Sequence, residues 1–313
     1  MTTNPTRRRR LRLAGACAMT LALAAGAIAL PAAPAHAADP ITAADQSYFA
    51  YYHLDQARAK GYTGKGVTIA LIDGEVDTSA PELAGATIID KSPCTVHSST
   101  QSKSHATALA SLLVSKEYGV APDATLLTYR TRFEDEGEDA AAGCQVHNGN
   151  GIEENNSLIN RAISDGAQII SISSSDEDFD EATKWTIARA NARGVIVVTA
   201  MGNTAKDETD TGLAKWSGVV GVGAIDTTGN VAPYSSSGQG ATTAAVGGPI
   251  IVRNYETGNK ATTDGTSYST PLIAGFLSLA KQKWPNATNN QLLQLLTKTA
   301  LNNEGRWNKY TGY

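Results

Sequence analysis

The order of apolar and polar segments predicts an α/β fold with a doubly wound, mostly parallel sheet and helices on both faces. Two observations support this prediction. Short, near-continuous apolar runs alternate with longer helix-like segments, and no internal repeat or Pro/Ser-rich linker divides the chain after its N-terminal region. Strands without a polar face are typical of a parallel sheet that helices cover on both sides.

The first predicted strand covers residues 67–73 and ends on an acidic residue, Asp73. The elements after it alternate in type: a helix over 107–116, a strand over 124–130, a helix over 152–165, a strand over 168–173, a helix over 179–193, strands over 195–200 and 219–225, and helices over 268–284 and 290–299. Gly166, Gly194 and Pro285 stand where three of these helices should end. In such a sheet, ligands bind beyond the carboxyl ends of the strands, so polar residues at those ends are the first candidates for chemistry.

Residues 1–37 have the pattern of a secretory signal peptide. Five arginines precede residue 13, an uncharged Ala/Leu-rich run covers residues 13–30, and the small residues of Ala35-His36-Ala37 offer a cleavage site. The alternative, a retained membrane anchor, is disfavoured because the apolar run is short and leads into that cleavage site. We therefore expect a secreted, extracellular protein.

The charge balance of the remaining chain excludes some partners. The full chain of 313 residues has 26 Lys and Arg against 30 Asp and Glu; without the five signal arginines, 21 basic residues remain. This acidic balance argues against nucleic acid or an anionic membrane surface as a partner. No later apolar run is long enough for a stable membrane anchor.

Two cysteines, Cys94 and Cys144, remain after the signal peptide. In an oxidising compartment a disulfide between them is the default expectation. A structural zinc site is the alternative, because His97 and His147 follow the cysteines at zinc-like spacing. The polar setting of both segments favours the disulfide, and no metal ligand is assigned.

The densest charge run covers residues 134–139 and is interpreted as a solvated surface loop. Its carboxylates suit calcium, but the run lacks the spacing of a known calcium loop. Calcium therefore stays unassigned.

Three polar residues occupy positions at which the sheet predicts chemistry. Asp73 ends the first strand, His105 stands at the start of the helix predicted after it, and Ser267 stands in a Gly-containing turn that leads into an apolar helix. A serine hydroxyl needs a neutral imidazole to accept its proton before it can act as a nucleophile. A buried carboxylate then orients the imidazole and stabilises its protonated form.

Asn203 is a candidate for a fourth role. It follows the apolar strand over 195–200, in the sequence Ala200-Met201-Gly202-Asn203. A side-chain amide at this position can donate a hydrogen bond to the oxyanion of a tetrahedral intermediate, together with backbone N–H groups at the start of the helix that carries Ser267.

The order Asp, His, Ser and four sequence segments resemble the subtilisin-like serine proteases, the subtilases. The segments are 66–73 with Val76-Asp77 and Pro81–Leu83, His105 with Thr107, 200–203, and 265–271 with Ala274-Gly275. The similarity extends from about residue 61 to 299. It implies a subtilisin-like fold and a serine endopeptidase with the catalytic residues Asp73, His105 and Ser267 and the oxyanion-hole residue Asn203.

The resemblance also implies a substrate-binding segment that pairs with the peptide backbone as an added strand. The corresponding residues are Ser173, Ser174 and Ser175, together with Ala200 and Gly202. It divides the chain into a signal peptide (1–37), a short lead segment (38–60), too short for the family's usual folding propeptide, and a catalytic domain (61–313), which we expect to be truncated at its C-terminus.

Several positions differ from the usual family sequence. Gly74 and Glu75 replace Ser/Thr and Gly after the aspartate, so a supporting hydroxyl is absent and a second negative charge comes close to Asp73. Residues 106–111 differ from the usual Gly-Thr-His-Val-Ala-Gly, Tyr268-Ser269 replaces Met-Ala, and Ser175 replaces a glycine. The acidic residues 176–178 that follow predict a preference for basic residues near the cleaved bond.

Two hypotheses from different classes follow. The first is a secreted serine endopeptidase that acts on peptides or proteins as a monomer and requires no cofactor. The alternative is a catalytically weak or silent subtilase-like module that binds peptides. An esterase is disfavoured because no Gly-x-Ser-x-Gly motif surrounds Ser267.

Overall fold

The structure is a computed structural model that describes residues 39–93, 98–131, 155–173, 181–207, 212–300 and 306–313. Several predictions concern residues outside these ranges: the signal peptide, the Cys94–Cys144 disulfide and its zinc alternative, the acidic run 134–139, the residues Ser174 and Ser175, and the acidic residues 176–178. Among the described residues, no helix is long and apolar enough to cross a membrane.

Seven parallel strands form the central sheet of the described chain. They are β1 (Thr68–Asp73), β2 (Thr87–Asp90), β3 (Thr125–Arg130), β4 (Ile169–Ile172), β5 (Ile196–Ala200), β6 (Val219–Ile225) and β7 (Ala241–Val246). Their spatial order is β2-β3-β1-β4-β5-β6-β7. Two further strands, β8 (Ile250–Arg253) and β9 (Lys260–Thr263), pair with each other as an antiparallel hairpin.

Helices cover both faces of this sheet. They are α1 (Ser47–Tyr51), α2 (Leu54–Ala59), α3 (Thr100–Val114), α4 (Asn155–Ser164), α5 (Glu181–Ala192), α6 (Thr266–Lys283) and α7 (Asn289–Lys298). Successive side chains of a strand point to opposite faces, so each central strand contributes to two cores. Ile69 and Leu71 share a buried cluster with residues of α3 and α6, whereas Ala70 and Ile72 lie in a second cluster with residues of α4 and α5. The predicted doubly wound fold is confirmed.

The strand order places the chemistry at one edge. The chain adds β2 and β3 on one side of β1 and then crosses to β4 on the other side. Ligands bind at such a reversal, beyond the carboxyl ends of the strands. Asp73 ends β1 at this point, and Ser173 follows the end of the neighbouring β4.

The start of α3 differs from the prediction. The helix begins at Thr100, seven residues earlier than predicted, and Ser99 caps it by accepting a hydrogen bond from the Ser102 N–H at 3.1 Å. Its first turns are polar, so the apolar pattern used for the prediction starts too late to mark the helix start. His105 therefore lies in the second turn of the helix instead of at its start.

Candidate active site

The carboxylate of Asp73 and the imidazole of His105 are in direct contact. Asp73 is 1% exposed, and its Oδ1 lies 2.9 Å from Nδ1 of His105. Burial of the imidazole lowers its pKa, but the negative charge of Asp73 and the hydrogen bond to it raise that pKa, and the balance leaves the His105 pKa above its usual value. The pair can therefore orient an imidazole and stabilise its protonated form.

The two oxygens of the Asp73 carboxylate differ in their partners. Oδ1 also accepts a bond from the Gly74 N–H at 2.9 Å, whereas the buried Oδ2 has no hydrogen-bond partner among the described residues. A side chain at position 74 would not fit, because a Cβ there would come within 2.8 Å of the Ser102 carbonyl oxygen on α3. The close approach of α3 thus explains why this chain lacks the supporting hydroxyl.

The negative charge of Glu75 is paired. Lys103 contacts Oε1 at 3.2 Å and Arg130 contacts Oε2 at 3.3 Å, and all three side chains are less than a third exposed. Arg130 contacts Asp90 as well, at 2.9 Å. Two cations from α3 and β3 therefore compensate the second negative charge that Glu75 brings to this region.

Ser267 is the second residue of α6 and is half-buried. Its hydroxyl donates a hydrogen bond to the carbonyl oxygen of Ser173 at 3.1 Å, and the Ser173 hydroxyl donates one to the carbonyl oxygen of Ser267 at 2.9 Å. These reciprocal bonds join the end of β4 to the start of α6. Ser267, Ser173 and His105 all line one open cavity of about 530 Å³.

The side chain of Asn203 is held in one orientation by Thr266, the first residue of α6. Asn203 Oδ1 accepts hydrogen bonds from the backbone N–H and the hydroxyl of Thr266, at 2.8 and 3.0 Å. The Gly202 N–H donates to the same hydroxyl at 3.2 Å, and Gly202 has a φ of +100°, which favours glycine. Neither Asn203 Nδ2 nor the Ser267 N–H has an acceptor among the described residues, so both donors are available to a ligand at the N-terminus of α6.

Tyr268 packs against the imidazole of His105. The two ring centroids are 5.7 Å apart and the ring planes meet at 64°, an edge-on arrangement. Thr263 of β9 donates a hydrogen bond to the Tyr268 hydroxyl at 3.3 Å. The aromatic residue at this position thus connects the histidine to the hairpin.

The hairpin β8–β9 forms one wall of the cavity. Its contribution comes from two stretches, residues 252–256 and 261–263. The sequence pattern did not predict this wall, because its strands are short and only partly buried.

Of the residues predicted to bind substrate, Ser173 lines the cavity. Ala200, which ends β5, and Gly202 are not among the described residues that line it.

No group of three or more His, Cys, Asp or Glu side chains suited to a metal ion occurs within the described ranges. A hydroxyl (Ser267) and an imidazole (His105) line the cleft, the Asp73 carboxylate contacts that imidazole, and the Asn203 amide and the Ser267 N–H lie at the N-terminus of α6. This set suits nucleophilic attack on a carbonyl group and stabilisation of the oxyanion that results.

The chain is similar in sequence to known proteases. It is 30% identical over 259 residues to the thermostable alkaline protease of Halalkalibacterium halodurans, covering 80% of this chain and 66% of that protein. It is 28% identical over 265 residues to subtilisin E of Bacillus subtilis, covering 80% and 65%. The chain therefore spans slightly less than two thirds of the length of each relative.

Solved structures with low sequence identity share the fold. A lanthipeptide protease matches with a TM-score of 0.68 at 19% identity, over 87% of this chain and 92% of that one. MycP1 from Mycobacterium smegmatis matches with a TM-score of 0.67 at 22% identity, over 88% and 83%. The model of the subtilase family matches residues 64–313. The resemblance seen in the sequence is confirmed: the chain belongs to the subtilase family.

Proposed function

We propose that this chain is a secreted serine endopeptidase in which Ser267, His105 and Asp73 act as a catalytic triad. The observation that supports this most is the 2.9 Å contact between His105 and the buried Asp73, on a histidine that shares its cleft with Ser267. Family membership supports the same activity.

In this mechanism the Ser267 hydroxyl turns from the Ser173 carbonyl to the imidazole of His105. His105 accepts the hydroxyl proton while Ser267 Oγ attacks the carbonyl carbon of the peptide, and Asp73 stabilises the imidazolium that forms. Asn203 Nδ2 and the Ser267 N–H donate to the oxyanion. The imidazolium then protonates the leaving amine, and water, deprotonated by His105, hydrolyses the acyl-enzyme.

The test is turnover of casein and of a fluorogenic peptide by the wild type and by Ser267→Ala. We expect the variant to lose a factor of at least about 10³ in kcat. Ser164→Ala, which removes an exposed hydroxyl on α4, is the matched control and should keep full activity. Equal turnover by the wild type and Ser267→Ala would refute the proposal.

The second candidate is a subtilase-like module that binds peptides without cleaving them. Two observations favour it: the Ser267 hydroxyl is bonded to the Ser173 carbonyl, and within the described ranges Oδ2 of Asp73 has no hydrogen-bond partner. A module of this kind would bind peptides with the same affinity in the wild type and Ser267→Ala, and neither protein would release product.

Secretion and substrate preference are part of the proposal. N-terminal sequencing of the protein from culture medium should begin at Ala38, after cleavage at the predicted site.

The proposed partner is a peptide or protein, the enzyme acts as a monomer, and the mechanism needs no cofactor. A peptide library should show enrichment of Lys and Arg near the cleaved bond if the acidic residues 176–178 border the cleft.

A further inference from the structure

The hairpin β8–β9 would contact a substrate in the proposed cleft, yet a two-stranded hairpin is barely stable by itself. Its position therefore depends on what it packs against. On the side of α3, the Ser104 hydroxyl donates to the carbonyl oxygen of Arg253 at 3.2 Å. Most of its other polar contacts come from the first described residues of the chain, 39–47, here called the N-terminal brace.

Gln46 of the brace takes the place of a third strand beside β8. Its Nε2 donates to the carbonyl oxygen of Ile251 at 2.8 Å, and its Oε1 accepts from the N–H of Ile251 at 3.2 Å. Ile251 lies opposite Thr262 of β9, so both of its backbone polar groups turn away from the hairpin toward Gln46. Gln46 is 1% exposed and Ile251 is partly buried, so the amide pairs polar groups at a strand edge that it shields from water.

Charged and polar contacts hold the brace at both strands of the hairpin. Lys260 of β9 contacts Asp45 at 2.9 Å and Asp39 at 3.3 Å. The Ser47 hydroxyl donates to the carbonyl oxygen of Pro249, immediately before β8, at 2.8 Å. Arg253 of β8 donates to the backbone carbonyl of Asp39 at 3.2 Å and also forms a buried ion pair with Glu82.

From these contacts we infer that the N-terminal brace is a permanent positioning element of the substrate cleft. It stays bound after signal-peptide removal and holds the hairpin in the position that a peptide substrate requires. This inference rests on the proposed function for its effect on substrate, whereas its effect on the hairpin itself is independent of any activity. Without Gln46, the edge of β8 loses its partner and the wall becomes mobile.

The test compares Gln46→Leu with Arg58→Leu in the mature chain. Arg58 also fastens the N-terminal region, and its hydrogen bonds within the described residues go to the carbonyl oxygens of Lys116, Glu117 and Gly119, outside the hairpin. We expect Gln46→Leu to raise KM for a peptide about tenfold while kcat stays within about threefold, and to speed amide exchange at Ile251 about tenfold. Arg58→Leu should lower Tm but leave KM and this exchange rate within about twofold.

Equal effects of the two variants on KM would show that the brace only stabilises the fold, and would overturn the inference. Unchanged exchange at Ile251 in Gln46→Leu would overturn it as well. If Gln46→Leu does not fold, the same measurements are made on Lys260→Met, which changes a partly exposed side chain of the hairpin. We again expect a higher KM and faster amide exchange at Ile251. If the wild type cleaves no peptide, the proposed function fails and the cleft role fails with it, while the exchange rates still decide whether the brace holds the hairpin.

Discussion

The two halves of the candidate site are built differently. On the proposed oxyanion side, three hydrogen bonds of 2.8, 3.0 and 3.2 Å connect Gly202 and Asn203 to Thr266 and fix the amide of Asn203. On the acid side, one oxygen of Asp73 is hydrogen bonded and the other has no partner in the described part of the chain, while the nearby charge of Glu75 is balanced by two ion pairs. The proposed oxyanion side thus depends on uncharged hydrogen bonds between the segment after β5 and the start of α6, whereas the acid side depends on charged side chains.

This difference predicts different sensitivities. The uncharged hydrogen bonds among Gly202, Asn203 and Thr266 should tolerate salt and modest pH change. Removal of a single donor or acceptor on this side should nevertheless lower activity strongly. The ion pairs of Glu75 are partly exposed and are weakened by salt, so a neutral replacement of Glu75 costs less than the loss of the buried Asp73 charge. The substitutions below test the contrast, from the largest expected effect to the smallest.

Asp73→Asn should have the largest effect. An amide cannot stabilise the imidazolium and favours the wrong tautomer of His105, so we expect kcat to fall about 10⁴-fold at neutral pH. Measurement of kcat/KM for a fluorogenic peptide checks this. A fall of less than about tenfold would show that the Asp73–His105 contact does not serve catalysis.

The same pair predicts the pH dependence. His105 acts as a base only when neutral, and its pKa is raised, so activity of the wild type should fall with decreasing pH at a midpoint above about 6.5. Asp73→Asn removes the charge that raises this pKa and should move the midpoint to lower pH.

The stability of the fold should depend on pH in the opposite direction to activity. The Asp73–His105 pair stabilises the fold fully below about pH 6.5, and this contribution is lost as pH rises through the raised pKa of His105.

Asn203→Ala removes one of the two proposed oxyanion donors and should lower kcat by about 10²–10³ with little change in KM. Thr266→Val sharpens the comparison, because it keeps the Asn203 amide but removes the hydroxyl that bonds to Oδ1. We expect an intermediate loss of about tenfold, since the amide is still tied to the Thr266 N–H. Identical kinetics for the wild type and Asn203→Ala would remove Asn203 from the mechanism.

Glu75→Gln should have the smallest effect. It breaks two partly exposed ion pairs, so the free energy of unfolding should change by less than about 1 kcal/mol and kcat/KM by about twofold. Because salt screens such pairs, the difference from the wild type should vanish in about 1 M NaCl. An effect of the same size at low and high salt would show that Glu75 acts through something other than charge.

Much of the fold follows from local sequence. The strands β1, β4 and β5 are buried on both faces, and their continuous apolar runs predict them from the sequence. The strands that were not predicted, such as β2 and β9, have intermediate or exposed side chains and mixed composition. Their strand conformation comes from pairing with distant segments, which a local pattern does not contain.

The candidate site also combines features that the local sequence predicts with features that arise only when distant segments meet in the fold. The sequence singles out Asp73, His105, Asn203 and Ser267 because each residue type follows or opens a recognisable element. It cannot show that Arg130 and Lys103 neutralise Glu75, since β3 and α3 meet the end of β1 only in the folded chain. The backbone of Ser102 that excludes a side chain at Gly74 is equally a result of helix placement.

The central claim is that Ser267 is a nucleophile activated by His105, and active-site labelling tests it most directly. A fluorophosphonate forms a covalent adduct only with an activated serine, and mass spectrometry of proteolytic fragments locates the adduct. The account predicts labelling of the wild type at Ser267 alone, and labelling of His105→Ala slower by about 10³-fold or more. An unlabelled Ser267 in the folded wild type, or equal labelling rates in the two proteins, would contradict it.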